Sequence, residues 1–287
     1  MLTTRSLLAL TLLAIGPVPG VLAAQVRDAA RALPAGRIDS LSMPGALFGA
    51  DRSVWVYTPP GYDAVRKDYP LLLAFDGSSY TRGGDMDIPS LLDSLIAAGR
   101  IPPMVAVMID DGPGPVRIAE LGNSARFDRF LAEDLIAWIR ARYRVTRDPR
   151  RTIITGSSAG GLAAANAALA HPELFGNVLA QSGAFWRGNE GSNGSPYEWL
   201  TSQVARGPKR DVRFLLDVGS RETIRVLGGS GPVFIEANRR FRDALTAQGY
   251  DVTYTEVPDG VHAPVTWRPR FPVDLVAITT AWPGSAP

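Results

Sequence analysis

The stretch Thr152-Ile-Ile-Thr-Gly156-Ser-Ser158-Ala-Gly160-Gly161, which runs on into Leu162-Ala-Ala-Ala-Asn-Ala-Ala-Leu-Ala170, decides the fold. Ile153, Ile154 and the flanking threonines are β-branched and favour a buried strand, whereas the alanine-rich run after Gly161 favours a helix. Between them the chain must turn sharply, and the residues there read G-x-S-x-G. A serine on such a strand-to-helix elbow sits in strained backbone, with glycines around it because no side chain fits. This context predicts a nucleophile at Ser158.

The same alternation extends outward from the elbow. Strands are expected at Ser53–Thr58, Pro70–Phe75, Met104–Ile109, Thr152–Thr155, Asn177–Gln181, Val212–Val218 and Val252–Val257. Helices are expected at Ile88–Ala98, Arg126–Arg142, Ser158–His171 and Phe234–Gln248, with a last one near Phe271–Thr280. β-Branched runs separated by helical patterns imply an α/β fold, a mostly parallel sheet with helices on both faces. The first strand alternates and is followed by Pro59-Pro60-Gly61, which suits an antiparallel edge.

The 287 residues are 46% apolar and 20% charged, enough for one sizeable core. A formal net charge of +2, with arginines scattered among acids and no run of five or more like charges, points away from nucleic acid. Met1–Arg5 carries one positive charge, Ser6–Ile15 is apolar, and Val21-Leu-Ala23-Ala24 offers small residues for cleavage. Residues 1–24 therefore read as a signal peptide, too short in its apolar run to span a bilayer, and export to the periplasm or beyond is expected. Residues 25–287 are then a single domain with no later membrane span. The chain has no cysteine, so export brings no disulfide. The Gly/Ser-rich segment from Gly188 to Ser195 reads as a surface loop rather than a boundary.

A nucleophilic serine needs a base, and the chain offers His171 and His262 alone. His171 lies thirteen residues beyond Ser158 on the same expected helix, so the two would be roughly 20 Å apart. It reads as a helix C-terminal residue before Pro172. His262 follows the last expected strand, where a loop can bring it to the C-terminal edge of the sheet beside the serine. It also falls last in the order Ser…acid…His of the α/β-hydrolase arrangement.

The acid should lie on a loop leaving a strand between the two. Glu222 fits best, because Phe214–Val218 has ended and Gly219 has turned the chain; Asp217, inside the strand, is the alternative. Asp259 has little room to reach the far imidazole nitrogen. For the oxyanion, the amide of Ala159 follows the nucleophile and the helix beginning there adds its positive end. A second amide is expected from Gly77 or Ser78, on the turn that ends Leu71–Phe75.

With these residues placed, the chain resembles the putative-esterase family of α/β hydrolases, and within it the enterochelin (ferric catecholate siderophore) esterases. The likeness rests on Phe75-Asp-Gly77, Gly99-Arg-Ile-Pro102-Pro103, Arg117-Ile-Ala-Glu120-Leu121, Gly156–Gly161, His171-Pro-Glu-Leu-Phe175-Gly, Gln181-Ser-Gly-Ala-Phe-Trp186 and Leu216-Asp-Val-Gly-Ser-Arg-Glu222. The resemblance implies an esterase acting through Ser158 and His262 on a small-molecule ester, with Arg117 and Trp186 near the substrate cleft. Asp259-Gly260-Val261-His262-Ala263-Pro264 departs from the family pattern, which carries His-Asp after two glycines, but keeps the histidine and Trp267.

Each carried-over residue also has a plainer reading. Arg117 and Glu120 are spaced to pair on one helical turn, Trp186 suits a core, and Asp110-Asp111 before Gly112-Pro113-Gly114 reads as a solvated turn. Gly228-Gly229-Ser230-Gly231 lacks a phosphate-loop lysine and reads as a linker. Ester hydrolysis by this set needs no cofactor and no metal. Feruloyl or acetyl-sugar esters, and acyl transfer to a sugar, are the alternatives to siderophore trilactones.

Overall fold

The computed structural model describes residues 35–45, 51–65, 68–112, 114–189 and 197–282. The expected signal peptide and residues 190–195 of the Gly/Ser-rich segment lie outside the described residues. Eight strands among the described residues form one sheet: β1 (Arg37–Met43), β2 (Arg52–Thr58), β3 (Leu71–Ala74), β4 (Val105–Ile109), β5 (Thr152–Ser157), β6 (Asn177–Gln181), β7 (Arg213–Gly219) and β8 (Asp251–Val257). Their order is β1-β2-β4-β3-β5-β6-β7-β8. The pairs β1·β2 and β2·β4 are antiparallel, and all others are parallel.

The strand expected at Ser53–Thr58 is antiparallel but is not the edge. β1 takes that place, an element the hydropathy pattern does not reveal because Arg37-Ile-Asp-Ser-Leu-Ser-Met is half polar and mostly uncovered. The central strands β3, β4, β5 and β6 are buried at every position. Alternate side chains feed two apolar layers. Leu71, Leu73, Val105 and Val107 face one layer, and Leu72, Ala74, Ala106 and Met108 face the other.

The helices are α1 (Gly77–Tyr80), α2 (Ile88–Ala97), α3 (Pro115–Leu121), α4 (Ala125–Arg129), α5 (Ile136–Arg142), α6 (Ala159–Ala170), α7 (Trp199–Arg206), α8 (Phe234–Ala247) and α9 (Pro264–Thr280). Residues 126–142, read from sequence as one helix, are split by a π-helical segment at Phe130–Leu135. Residues of α4 to α6 and of α8 pack into the first layer, and residues of α2 and α9 into the second.

α9 begins seven residues earlier than expected, despite Pro269 and Pro272 within it. Trp267, Phe271, Leu275 and Ile278 recur on one helical face and are all buried, and that burial outweighs the missing amides. α6 is buried nearly all round, as its small side chains allow.

Candidate active site

At the elbow Ser158 has φ 55° and ψ −118°, a left-handed backbone rare for a residue with a side chain. The surroundings hold it there. Its N–H donates to Gln181 O at 2.9 Å, and its carbonyl accepts from Ala184 at 2.9 Å and Leu162 at 3.2 Å. Glycine is obligatory behind it, because a Cβ on Gly156 would lie 2.6 Å from the carbonyl carbon of Gly160. Strand β5 and helix α6 can approach so closely only across that bare position.

The C-terminal ends of β6, β7 and β8 supply the rest. The loops after β7 and β8 are laced together by Ser220 N–H to Val257 O at 3.0 Å and Arg221 N–H to Gly260 O at 2.9 Å. Across them His262 Nδ1 lies 2.6 Å from Glu222 Oε2. Glu222 is 4% exposed. Its other oxygen, Oε1, accepts from Gly219 N–H at 2.8 Å and from the Ser182 hydroxyl at 2.6 Å. Ser182 in turn accepts from Trp267 Nε1–H at 2.8 Å. The His262 ring stands edge-on to Phe234, with centroids 4.7 Å apart, and to Trp267 at 5.1 Å.

Ser158, Ala159, Glu222 and His262 line one cavity of about 480 Å³, together with Arg117, Trp186 and Arg187. Its apolar wall is Ile118, Ala184, Ile224, Val226, Leu227 and Phe234. Thus Ser158, His262, Glu222, Ala159, Arg117 and Trp186, all expected from sequence, are brought together. Gly77 and Ser78 are not among the residues lining it. Gly77 is buried against β4, where a Cβ would meet Ile109 at 2.8 Å. Ser78 gives its N–H, at 3.3 Å, and its hydroxyl, at 3.0 Å, to Asp110 Oδ1.

The competing acids are engaged elsewhere. Asp217 is buried within β7 and accepts from Gln181 Nε2 at 3.1 Å. Burial pushes its carboxyl well above the usual range, and the neighbouring Asp274 adds to the rise. Asp259 forms an exposed pair with Arg221 at 2.6 Å. His171 caps the far end of α6 and lies 3.2 Å from Glu173.

Two plainer expectations are corrected. Arg117 and Glu120 do not pair with each other. Glu120 is buried against Arg52, 68 residues away, and Arg117 is held by Asp76 in a two-pronged contact whose Nη2–Oδ2 arm is 2.7 Å. Asp111 is no solvated turn residue, for its side chain is 2% exposed and accepts from Asp76 N–H at 3.1 Å. Burial pushes its carboxyl up, reinforced by the Asp76 charge, while the Asp76 contact first among several causes holds Arg117 more firmly as a cation. Arg187, which no sequence pattern singles out, is 5% exposed and stacks over Trp186 at 5.1 Å. Burial lowers its pKa, and the charge of Arg117 adds to this. No cluster of three or more metal-ligating side chains occurs among the described residues.

A nucleophile elbow at the end of a central parallel strand, with a histidine and an acid on the following loops, defines an α/β hydrolase. The chain belongs to the Esterase family, described as "Putative esterase", whose model matches residues 45–278. It is 31% identical over 257 residues to the iron(III) enterobactin esterase of Dickeya dadantii, covering 84% of this chain and 55% of that protein. The crystal structure of the enterobactin esterase from Shigella flexneri in the presence of enterobactin superposes with a TM-score of 0.73 at 26% identity, over 84% of this chain and 58% of the other. A ferulic acid esterase shares the fold, with a TM-score of 0.69 at 19% identity over 85% of this chain and 98% of its own. The chain thus spans about half the length of the curated enterobactin esterases it matches.

Proposed function

We propose that the protein is a serine esterase in which Ser158 is the nucleophile, His262 the general base and acid, and Glu222 the orienting carboxylate. The observation that carries this reading is the 2.6 Å contact between His262 Nδ1 and the buried Glu222, in the same cavity as the strained Ser158. Glu222 occupies Nδ1, so the tautomer it selects has Nε2 free to take the Ser158 proton. The serine oxygen then bonds to the ester carbonyl carbon, and the oxyanion falls to the Ala159 N–H at the positive end of α6. Collapse expels the alcohol, which takes its proton from His262. Water, deprotonated by the same histidine, releases the acid and restores Ser158. Ser78 N–H would be a second oxyanion donor only on leaving Asp110.

The family relatives named as enterobactin esterases support a catecholate siderophore ester as substrate. So does the cavity, which is lined by aromatic and aliphatic side chains together with Arg117 and Arg187. The fold shared with a ferulic acid esterase supports a second reading, an aryl or feruloyl ester. Residues 1–24 are proposed to direct export, and a periplasmic or secreted location follows from that. Hydrolysis of an enterobactin-type trilactone, feruloyl esters, acetylated sugars and p-nitrophenyl esters tests the reading. The trilactone is expected to give the highest kcat/KM, and Ser158→Ala to remove turnover of every ester. Turnover of none of them by the wild-type protein would sink the proposal.

A further inference from the structure

Ser182 is fully buried and has φ 47°, again a left-handed backbone that disfavours a residue with a side chain. Its N–H is fixed to Asp217 O at 2.7 Å. Its hydroxyl sits between Trp267 Nε1 at 2.8 Å and Glu222 Oε1 at 2.6 Å. An indole N–H can only donate, so it must occupy a lone pair of the hydroxyl, and the single hydroxyl proton is left for the carboxylate. With Gly219 N–H also on Oε1, that oxygen is doubly occupied and Oε2 alone faces His262.

Trp267 is itself pinned, since its carbonyl accepts from Gln181 Nε2 at 2.9 Å. Its ring is perpendicular, at 88°, to the imidazole. One residue therefore touches the base directly and reaches its carboxylate through a serine. We infer that Ser182 and Trp267 are positioning residues for the acyl-transfer step, fixing which Glu222 oxygen meets His262 and the plane in which the imidazole is held. The inference rests on the proposed roles of Ser158, His262 and Glu222.

The test uses Trp267→Phe, which keeps a ring and removes the donor, with Ser182→Ala and Ser182→Gly, the last suited to the left-handed backbone. Two readouts are taken: steady-state kinetics on p-nitrophenyl esters, and the downfield proton resonance of His262 Nδ1–H. With only two histidines in the chain, a His171→Gln background makes that resonance assignable. Losing a hydrogen bond to a charged group predicts a fall in kcat of roughly ten- to hundred-fold for the Ser182 variants, with KM nearly unchanged. A smaller fall is expected for Trp267→Phe. In each, the resonance should move upfield or broaden.

Folded variants that retain the wild-type resonance, or that lose activity only through KM, would overturn the inference. Ser158→Ala separates it from the functional reading: that variant should keep the resonance while losing activity. If the wild-type protein hydrolyses no ester, the functional reading fails, and the inference that rests on it falls too. The resonance then reports only whether Ser182 and Trp267 order Glu222.

Discussion

Glu222 shows how three local donors can make a buried carboxylate useful. Gly219 N–H, the Ser182 hydroxyl and His262 Nδ1 surround its two oxygens, so its charge is matched on every side. Glu222→Gln keeps the shape, but with its oxygen held by Gly219 N–H and the Ser182 hydroxyl it turns an amide donor toward Nδ1 in place of the acceptor that selects the imidazole tautomer. Its kcat is expected to fall about 10²- to 10⁴-fold with KM little changed, as steady-state kinetics will show. A wild-type rate would exclude Glu222 as the orienting acid. Arg117 plays a different part, holding Asp76 beside the buried Asp111. Replacing it by methionine leaves two carboxyls close together with the shared cation removed. A loss of roughly 1–3 kcal/mol in urea unfolding is expected.

The elbow is the element on which the site depends. Gly156→Ala would put a methyl group 2.6 Å from the carbonyl carbon of Gly160, forcing α6 away from β5. The expected cost is roughly 1–3 kcal/mol in the free energy of urea unfolding, with a loss of kcat because Ser158 and Ala159 move together. This element was legible in sequence because its strand, turn and helix are contiguous and each obeys its own local preference. Seven strands and the long helices were legible for the same reason. β1 was not, since only Met43 of this half-polar edge strand is buried and its hydropathy signal is weak. α3 was hidden by the Gly112-Pro113-Gly114 breakers before it, and the start of α9 by its prolines. The Ser–acid–His set could be read from chain order and from the scarcity of histidine. The bonds from Trp267 through Ser182 to Glu222 could not, because they join residues 85 and 40 positions apart. The Arg52–Glu120 pair was invisible for the same reason, since spacing predicts pairs only within a helix.

At the scale of the whole molecule, the stability of the fold should carry a pH signature from Asp128, 6% exposed and bonded to Asn166 Nδ2 at 2.6 Å between α4 and α6. Burial pushes its carboxyl up to about 7, against the opposing effect of that hydrogen bond. The folded chain therefore holds a proton there that the unfolded chain has released above about pH 4. Stability from this group is full at acid pH, declines as pH rises through the window from about 4 to 7, and stays reduced beyond it. Asp128→Asn should flatten that part of the profile and be the more stable protein at pH 8, by an amount on the order of a few kcal/mol. Urea unfolding of both proteins across pH 4–8 checks the sign. The C-terminal edge of β5 to β8 delivers Ser158, Glu222 and His262 to one cavity. The central claim, that this edge carries a serine nucleophile, is tested most directly by labelling the folded protein with a fluorophosphonate and mapping the adduct by peptide mass spectrometry. A single adduct on Ser158, lost in His262→Ala and in denatured protein, is the predicted result. An unlabelled native protein, or a label on any other residue, would contradict it.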